Sequence, residues 1–198
     1  MNEKKFDPKK LQKLNDPQRL MDIPPDYIWE KLHMEKPGVF VEIGAGTAFF
    51  SVAFLQKFEP SILYACDLSE VMINWVKVNV TSKYPNIIPV KTEEYTVPLD
   101  DGIADLVFMI NLHHELENPF PSVEEAYRIL KPNGKIFVVD WKKKDMPEGP
   151  PTKIRCLPEK VKEQMVNGGF KDVEIYNELQ KHFLVVGKRA SFTHNKPN

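Results

Sequence analysis

The sequence is poor in cysteine, lacks any long apolar run and carries almost no net charge, and each of these features excludes a class of protein. Its two cysteines, Cys66 and Cys156, lie far apart without metal-ligand spacing, so we expect a reducing, cytoplasmic setting and not a disulfide-rich secreted domain. No apolar run reaches membrane-spanning length, and residues 1–10 lack the apolar segment of a signal peptide. The formal net charge of −1 gives no reason to expect nucleic acid or anionic membrane as a partner.

The 198 residues are enough for one domain whose sheet is covered by helices on both faces. Ahead of the first apolar strand, Asp7-Pro8, Asp16-Pro17 and Pro24-Pro25 each indicate a helix start with proline at the first position. Helices this short do not fold alone. We therefore expect residues 1–36 to form a helical arm that packs on the domain.

The most informative stretch of the chain is residues 39–50. It begins as a run of β-branched and aromatic residues, which predicts a buried strand. Gly44 and Gly46 end this strand, and helical spacing of apolar residues starts at Phe49. A strand that turns through glycines into a helix lets a ligand lie against bare backbone, which indicates a nucleotide-type cofactor site.

The residues around the two glycines bear on the choice of cofactor. A dinucleotide fingerprint requires a third glycine three positions after the second, where this chain has Phe49. Glu42, two residues before the first glycine, would repel a pyrophosphate but suits a cofactor with positive charge. S-adenosylmethionine carries a sulfonium and an ammonium group and no phosphate.

Residues 42–48 resemble motif I of the class I S-adenosylmethionine-dependent methyltransferases, with Ala48 in place of the third glycine. The resemblance covers roughly residues 37–188 and names them as the cofactor-binding methyltransferase domain. It implies an α/β, Rossmann-like, doubly wound sheet of seven mostly parallel strands that ends in an antiparallel hairpin. It also implies that the helical arm of residues 1–36 covers the cofactor and substrate site. Residues 189–198 resemble a disordered tail.

Asp67 ends the second predicted strand, about twenty residues beyond the glycine turn, where this kind of fold places a carboxylate that accepts the ribose hydroxyls. A helix-capping role for Asp67 is the less favoured alternative. Leu68 and Met72 would lie against the adenine. Ser69 starts a helix whose predicted buried side is Val71, Met72, Trp75, Val76 and Val78.

The resemblance assigns further cofactor contacts. In the family, an acid often precedes an apolar-Pro-apolar run such as residues 97–99. By this resemblance, the Glu93 side chain would accept a hydrogen bond from the adenine amino group, and the Glu94 backbone N–H would donate to the adenine ring. Two adjacent glutamates in a loop are also common as a simply solvated pair. The backbone of Gly44, Ala45 and Gly46 would lie against the cofactor. Arg19 in the arm is a candidate for the methionine carboxylate or for an acidic substrate, and a solvated arginine is an equal alternative.

The fourth predicted strand, residues 104–110, is followed by Asn111, His113 and His114. The segment would emerge beside the glycine turn, facing the methyl group, with Asn111 as a cofactor contact, and it resembles the family's motif IV region. Three interpretations of the histidines remain: a general base or substrate hydrogen-bonder, a wall of the cofactor pocket, or a metal site. Metal binding is disfavoured because adjacent side chains diverge and no third ligand follows. We favour the histidines as a wall of the cofactor pocket. If the acceptor must lose a proton, His113, His114 and Asp140 are the candidate catalytic residues.

These patterns predict methyl transfer from S-adenosylmethionine to a small-molecule acceptor by in-line displacement, in a monomer or a homodimer. The identity of the acceptor stays open, because the fold does not choose among oxygen, nitrogen, carbon and sulfur acceptors. A non-catalytic S-adenosylmethionine-binding protein is the first alternative. An NAD-dependent oxidoreductase is the second, disfavoured by Phe49 and Glu42. Residues 146–158, rich in proline and glycine, are predicted to fold over the site as a lid or a partner surface.

Overall fold

A computed structural model describes residues 8–35 and 38–191 of the chain. The strands in these residues are β1 (Val39–Ile43), β2 (Ile62–Asp67), β3 (Ile87–Lys91), β4 (Ala104–Ile110), β5 (Leu130–Trp141), β6 (Lys171–Tyr176) and β7 (His182–Lys188). The α-helices are α1 (Pro8–Leu14), α2 (Gln18–Asp22), α3 (Pro25–Leu32), α4 (Phe49–Phe58), α5 (Glu70–Asn79), α6 (Phe120–Ile129) and α7 (Pro158–Asn167). Short 3₁₀ helices occupy His113–Glu115 and Thr152–Ile154. Asp7, the first residue of the predicted helix start Asp7-Pro8, lies outside the described residues.

The seven strands form one sheet in the order β3-β2-β1-β4-β5-β7-β6. Strands β1 to β5 pair in parallel, whereas β7 runs antiparallel to both β5 and β6. This arrangement confirms the predicted doubly wound sheet with its terminal antiparallel hairpin. The strand order reverses between β1 and β4, and ligands of such sheets bind outside the carboxyl ends of the strands at that point.

The centre of the sheet is buried on both faces, as continuous apolar strands require. In β4 every residue except Asp105 is buried. Alternation along the strand gives Phe108 to a core with α3 and α4, and Val107 to a second core with α6 and α7. The sheet is therefore held rigidly from two sides, and its carboxyl edge is a fixed platform.

Stacked aromatic rings join helix α4 to the sheet. Phe54 lies 5.0 Å from Phe108 and 5.6 Å from Phe137, measured between ring centroids, and all three side chains are fully buried. Phe58, at the end of α4, stacks on Trp29 of α3 at 4.1 Å. This cluster fixes the position of α4, and through it the glycine turn that begins the helix.

The structure corrects the predicted buried side of α5. Val71 is 47% exposed and Val78 is 74% exposed, and Ile73 is buried in their place. Because this helix has several apolar residues in succession, more than one of its faces could be buried. Packing against β2 and β3 buries the face that carries Met72, Ile73 and Val76.

Strand β5 includes residues 132–134, although proline and glycine commonly form turns. The Asn133 amide donates to the carbonyl of Arg189, and the Arg189 amide donates to the carbonyl of Gly134, which extends the pairing. The side chain of Arg189 donates to the carbonyls of Arg128 and Leu130. Arg189, at the start of the predicted tail, is thus hydrogen-bonded to the domain, and residues 192–198 lie outside the described part of the chain.

None of the helices in residues 8–35 and 38–191 combines the length and the apolar character needed to cross a bilayer. The same residues contain no group of three or more His, Cys, Asp or Glu side chains placed to hold a metal ion.

The aromatic stack predicts a stability effect. Phe54→Ala should lower the free energy of unfolding by about 3–5 kcal/mol, because it removes a fully buried ring and leaves a cavity against Phe108 and Phe137. Urea denaturation followed by circular dichroism measures this loss. Val78→Ala is the matched control, since its side chain is 74% exposed, and we expect a change within about 0.5 kcal/mol. Equal effects of the two substitutions would contradict the described core.

Candidate active site

The glycine turn between β1 and α4 has a left-handed backbone. Gly44, Gly46 and Ala48 have φ angles of 76°, 55° and 57°. A Cβ atom on Gly44 would come within 2.8 Å of the Leu112 side chain, which follows β4. Glycine at this position is therefore required by both backbone conformation and space.

Three successive N–H groups of this turn donate within the protein. The amides of Gly44 and Ala45 both donate to the carbonyl of Cys66, at 2.8 and 2.9 Å. The amide of Gly46 donates to Oδ2 of Asp67 at 2.7 Å. Because these donors are already paired, they do not form the phosphate cradle that a dinucleotide requires.

Asp67 holds two turns together at the end of β2. Its Oδ2 accepts the Gly46 amide, and its Oδ1 accepts the Ser69 amide at 2.8 Å. Ser69 in turn caps helix α5 by accepting the Met72 amide at 3.4 Å. The Asp67 side chain remains half-buried, so a fixed carboxylate with unused lone pairs faces the carboxyl edge.

The residues predicted for the adenine lie beyond Asp67. Leu68 is 54% exposed and Met72 is buried, so the two present an apolar surface beside the carboxylate. Glu93 and Glu94 are both exposed, and the Glu93 amide donates to the carbonyl of Thr96 at 3.1 Å. The structure thus brings Leu68 and Met72 to the site and leaves the two glutamate side chains in solvent.

Glu42 lies beneath the glycine turn and is 2% exposed. Its carboxyl group accepts a hydrogen bond from the Ser51 hydroxyl of α4. Burial raises the pKa of Glu42 to about 8, and the Ser51 hydrogen bond and the positive charge of Arg19 oppose that rise only in part. A neighbouring cation would shift Glu42 toward its ionised form.

The arm lies directly on this turn. The Arg19 guanidinium is 4.7 Å from the centroid of the Phe50 ring and 5.4 Å from that of Phe49, and it donates to the carbonyl of Leu14. The Leu14 side chain itself lies 3.8 Å from the position of a Cβ on Gly46. Arg19 is accordingly a packed residue beside Glu42, not a solvated one.

The segment after β4 contributes one unpaired acceptor. Asn111 has a φ of 56°, and its amide donates to the carbonyl of Val139 at 2.8 Å. Its side-chain oxygen is buried without a hydrogen-bond partner among the described residues. This oxygen can therefore still accept a hydrogen bond.

The two adjacent histidines point to different partners. His113 is buried, and its Nε2 lies 2.8 Å from Oε1 of Gln164 on α7. Burial lowers the pKa of His113, so its imidazole stays neutral. Its contact with α7 identifies His113 as a packing residue that ties the segment after β4 to a helix.

His114 pairs with the buried carboxylate of Asp140 at the end of β5. The His114 Nδ1 lies 2.7 Å from Oδ1 of Asp140, and the His114 amide donates to Oδ2 at 3.0 Å. The Trp141 amide also donates to Oδ1, at 2.6 Å. Three hydrogen bonds hold Asp140 as an acceptor, so Nδ1 of His114 carries the proton. The His114 Nε2 atom lies 4.0 Å from Oε1 of Glu115.

Sequence reasoning missed three polar groups at this edge. Ser51 follows Glu42 by nine residues, and nothing in the sequence marks their pairing. The hydroxyl oxygen of Thr47 is buried without a partner among the described residues. His182 begins β7 and is buried, and a histidine at the head of an otherwise apolar strand was the one available signal.

These residues fit the predicted cofactor. The turn lacks a phosphate cradle, Asp67 offers a fixed carboxylate for hydroxyl groups, and Asn111 offers a buried unpaired oxygen. The carboxyl group of Glu42 suits a cationic ligand better than an anionic one.

The chain is similar to proteins described as methyltransferases. A methyltransferase-like protein of Schizosaccharomyces pombe, itself uncharacterized, is 29% identical over 120 residues, which are 61% of this chain and 44% of that protein. The chain thus spans less than half the length of this relative. A second uncharacterized methyltransferase of that yeast is 25% identical over 178 residues, covering 86% of this chain and 68% of the relative.

Among solved structures, a SAM dependent methyltransferase from Aquifex aeolicus superposes with a TM-score of 0.83 at 29% identity, over 93% of this chain and 99% of that one. Together with the fold and the glycine turn, these similarities define a class I S-adenosylmethionine-dependent methyltransferase, whose cofactor is S-adenosylmethionine. The family model described as "Methyltransferase domain" matches residues 41–138, about half of the chain, and the chain belongs to this family. The predicted family and cofactor are confirmed.

The buried Glu42 predicts a pH-dependent affinity for the cofactor. Because the cation favours ionised Glu42, S-adenosylmethionine should bind more tightly as the pH rises through about 8, and Glu42→Gln should remove that dependence. Calorimetric titrations between pH 6.5 and 9 (about half a unit apart) measure the trend. Glu59→Gln, an exposed acid at the end of α4, is the matched control.

The same group predicts the reverse trend for stability. The folded protein holds the Glu42 proton more tightly than the unfolded chain does, so stability falls as the pH rises from about 5 to about 8. Glu42→Gln should therefore be more stable than the parent at pH 8.5, by about 1–3 kcal/mol. A variant that is less stable than the parent at that pH would show that Glu42 is not a buried, neutral group.

Proposed function

We propose that the protein transfers the methyl group of S-adenosylmethionine to a small-molecule acceptor by in-line displacement. The observation that carries this proposal is the His114–Asp140 pair, which lies at the ends of β4 and β5. S-adenosylmethionine supplies an electrophilic methyl group, activated by its sulfonium. The remaining work of orientation, proton removal and exclusion of water falls to the protein.

The hydrogen bonds around Asp140 support His114 as the general base. A histidine whose Nδ1–H donates to a buried carboxylate has its Nε2 free to take a proton. Asp140 is fully buried and accepts three hydrogen bonds, so it fixes the tautomer and orientation of His114 and stabilises the imidazolium that forms. This role suits an acceptor that loses a proton, such as a hydroxyl group.

The geometry of the turn supports a set of cofactor contacts. We assign Asp67 to the ribose hydroxyls, since its two oxygens are already oriented by the Gly46 and Ser69 amides. Leu68 and Met72 would contact the adenine. The turn of residues 44–46 and the Asn111 oxygen would hold the methionine part, with Glu42 balancing its positive charge.

Two segments would exclude water from the reaction. The arm covers the glycine turn through Leu14 and Arg19. Residues 146–158 are held as a compact loop by Arg155, which donates to the carbonyls of Pro150, Lys142, Lys144 and Glu148. Gly149 of this loop packs on the Trp141 ring so closely that a Cβ would approach it to 2.7 Å. An edge enclosed in this way suits a small acceptor and not a macromolecule.

The alternatives explain fewer observations. A nicotinamide-dependent oxidoreductase needs free amides at the glycine turn, and the amides of Gly44, Ala45 and Gly46 are all paired. A non-catalytic cofactor-binding protein has no need for a buried histidine and carboxylate pair at the acceptor side. The pair favours catalysis.

The base assignment predicts a large rate effect of Asp140→Asn. The variant keeps the shape of the side chain but presents an amide to His114, so the base loses its orientation and its tautomer. We expect turnover to fall by about 10²–10⁴-fold, with affinity for S-adenosylhomocysteine changed by less than about threefold. The assay measures S-adenosylhomocysteine release with a panel of oxygen, nitrogen, sulfur and carbon acceptors.

Asp172→Asn serves as the matched control, because Asp172 is exposed on β6 and its φ of 52° is one that asparagine tolerates. Full turnover in Asp140→Asn would remove His114 as the base. A parent protein that binds the cofactor but methylates no acceptor in the panel would favour the non-catalytic alternative.

A further inference from the structure

Of the three histidines at the carboxyl edge, His182 differs from the other two. His113 pairs with Gln164 through Nε2, although its Nδ1 is buried without a partner among the described residues, and His114 pairs with Asp140. His182 is 2% exposed, and neither of its ring nitrogens has a hydrogen-bond partner among the residues that the structure describes. Burying two polar atoms without partners is unfavourable, and a phenylalanine would fill the same space without that cost. A buried histidine whose two ring nitrogens have no partner indicates a ligand that completes their hydrogen bonds.

The position of His182 places it on the acceptor side of the sheet. It is the first residue of β7, in register opposite Trp141 at the end of β5. From β1, which carries the glycine turn, β7 is the third strand along in the sheet order, a separation of about 14 Å at ordinary strand spacing. Asp67, assigned to the ribose, lies in the opposite direction on β2. His182 therefore lies on the far side of β4 from the ribose position.

The charges that face His182 balance. Burial lowers the pKa of His182 to about 4; the negative charges of Asp22 and Asp140 oppose this shift, and the positive charges of Lys181 and Arg19 add to it. Asp22 and Lys181 also pair with each other at 2.9 Å. At neutral pH the imidazole is uncharged and offers one N–H donor and one nitrogen acceptor. Such a site selects an uncharged polar group and disfavours an ionised one.

A flat aromatic surface adjoins the imidazole. The Trp141 ring centroid lies 4.3 Å from that of His182, with an angle of 47° between the rings. The guanidinium of Arg155 lies 5.6 Å from the Trp141 ring and belongs to the loop of residues 146–158. An apolar ring beside a neutral donor and acceptor is the combination that binds a phenol-like or alcohol-like molecule.

We propose that His182 and Trp141 bind the methyl acceptor, and that this acceptor is an uncharged small molecule whose hydroxyl group hydrogen-bonds to the His182 ring. The inference rests on the proposed methyl transfer and deepens it by naming the acceptor class. Lys181, the neighbour of His182, is held by ion pairs to Asp22 of the arm and to Glu148, both at 2.9 Å.

A ligand titration followed by NMR tests the proposal on the whole protein in complex with S-adenosylhomocysteine. Phenol is the probe, toluene has the same shape without the hydroxyl, and benzoate adds a negative charge. We expect phenol to shift the His182 ring nitrogen resonances in a saturable way, with toluene and benzoate binding at least about fivefold more weakly. Absence of a shift with phenol, or an equal response to toluene, would overturn the proposal and leave His182 with an ordered water or nothing.

Substitution separates a binding role from a structural one. His182→Phe should keep the melting temperature or raise it, keep the affinity for S-adenosylhomocysteine within about twofold, and weaken phenol binding at least about fivefold, as seen on the Trp141 indole resonance. His33→Asn is the matched control, because His33 is exposed and its φ of 48° suits asparagine. A lower melting temperature with unchanged phenol affinity would make His182 structural. Failure of S-adenosylhomocysteine to bind the parent would instead overturn the proposed function.

Discussion

The carboxylate of Asp67 is the contact on which the cofactor side depends, because it bonds two separate turns. One oxygen holds the Gly46 amide and the other holds the Ser69 amide, so the loop after β1 and the loop after β2 share one anchor. The carbonyl of Cys66, one residue earlier, holds the Gly44 and Ala45 amides. The glycine turn is thus bonded to β2 at three successive residues. Its shape is set before any ligand arrives, which is the condition for tight and specific binding.

Residues proposed for different roles lie on different strands at the carboxyl edge of the sheet. Strands β1 and β2 carry the turn and the acid for the cofactor, β4 and β5 carry His114 and Asp140, and β7 carries His182. Three of the buried acidic or basic side chains, Asp140, Glu42 and His182, differ in how their hydrogen bonds are satisfied. Asp140 is fully hydrogen-bonded, Glu42 has one hydroxyl partner and a pKa raised by burial, and His182 has no partner among the described residues. Groups that the fold leaves incompletely satisfied are the ones a ligand would complete.

Much of the fold was predictable, because its signals are local. The apolar run before Gly44 and the cap at Ser69 each depend on neighbours in sequence, and β4 was predicted to the residue. The contacts that make the site are of another kind. His114 meets Asp140 across 26 residues and His113 meets Gln164 across 51, and such pairings follow from packing alone. The buried side of α5 was predicted wrongly for the same reason. Several apolar faces of this helix were compatible with helical spacing, and only packing decides which of them is buried.

The most direct measurement of the central claim is a calorimetric titration of S-adenosylhomocysteine into the folded protein and into Asp67→Asn. The account predicts saturable binding at a single site, weakened at least about tenfold in the variant, because an amide cannot accept from both turns and from the ribose hydroxyls at once. Circular dichroism confirms that the variant keeps its sheet. Equal affinity in both proteins, or no binding to the parent, would contradict the assignment of the glycine turn and Asp67 to the cofactor.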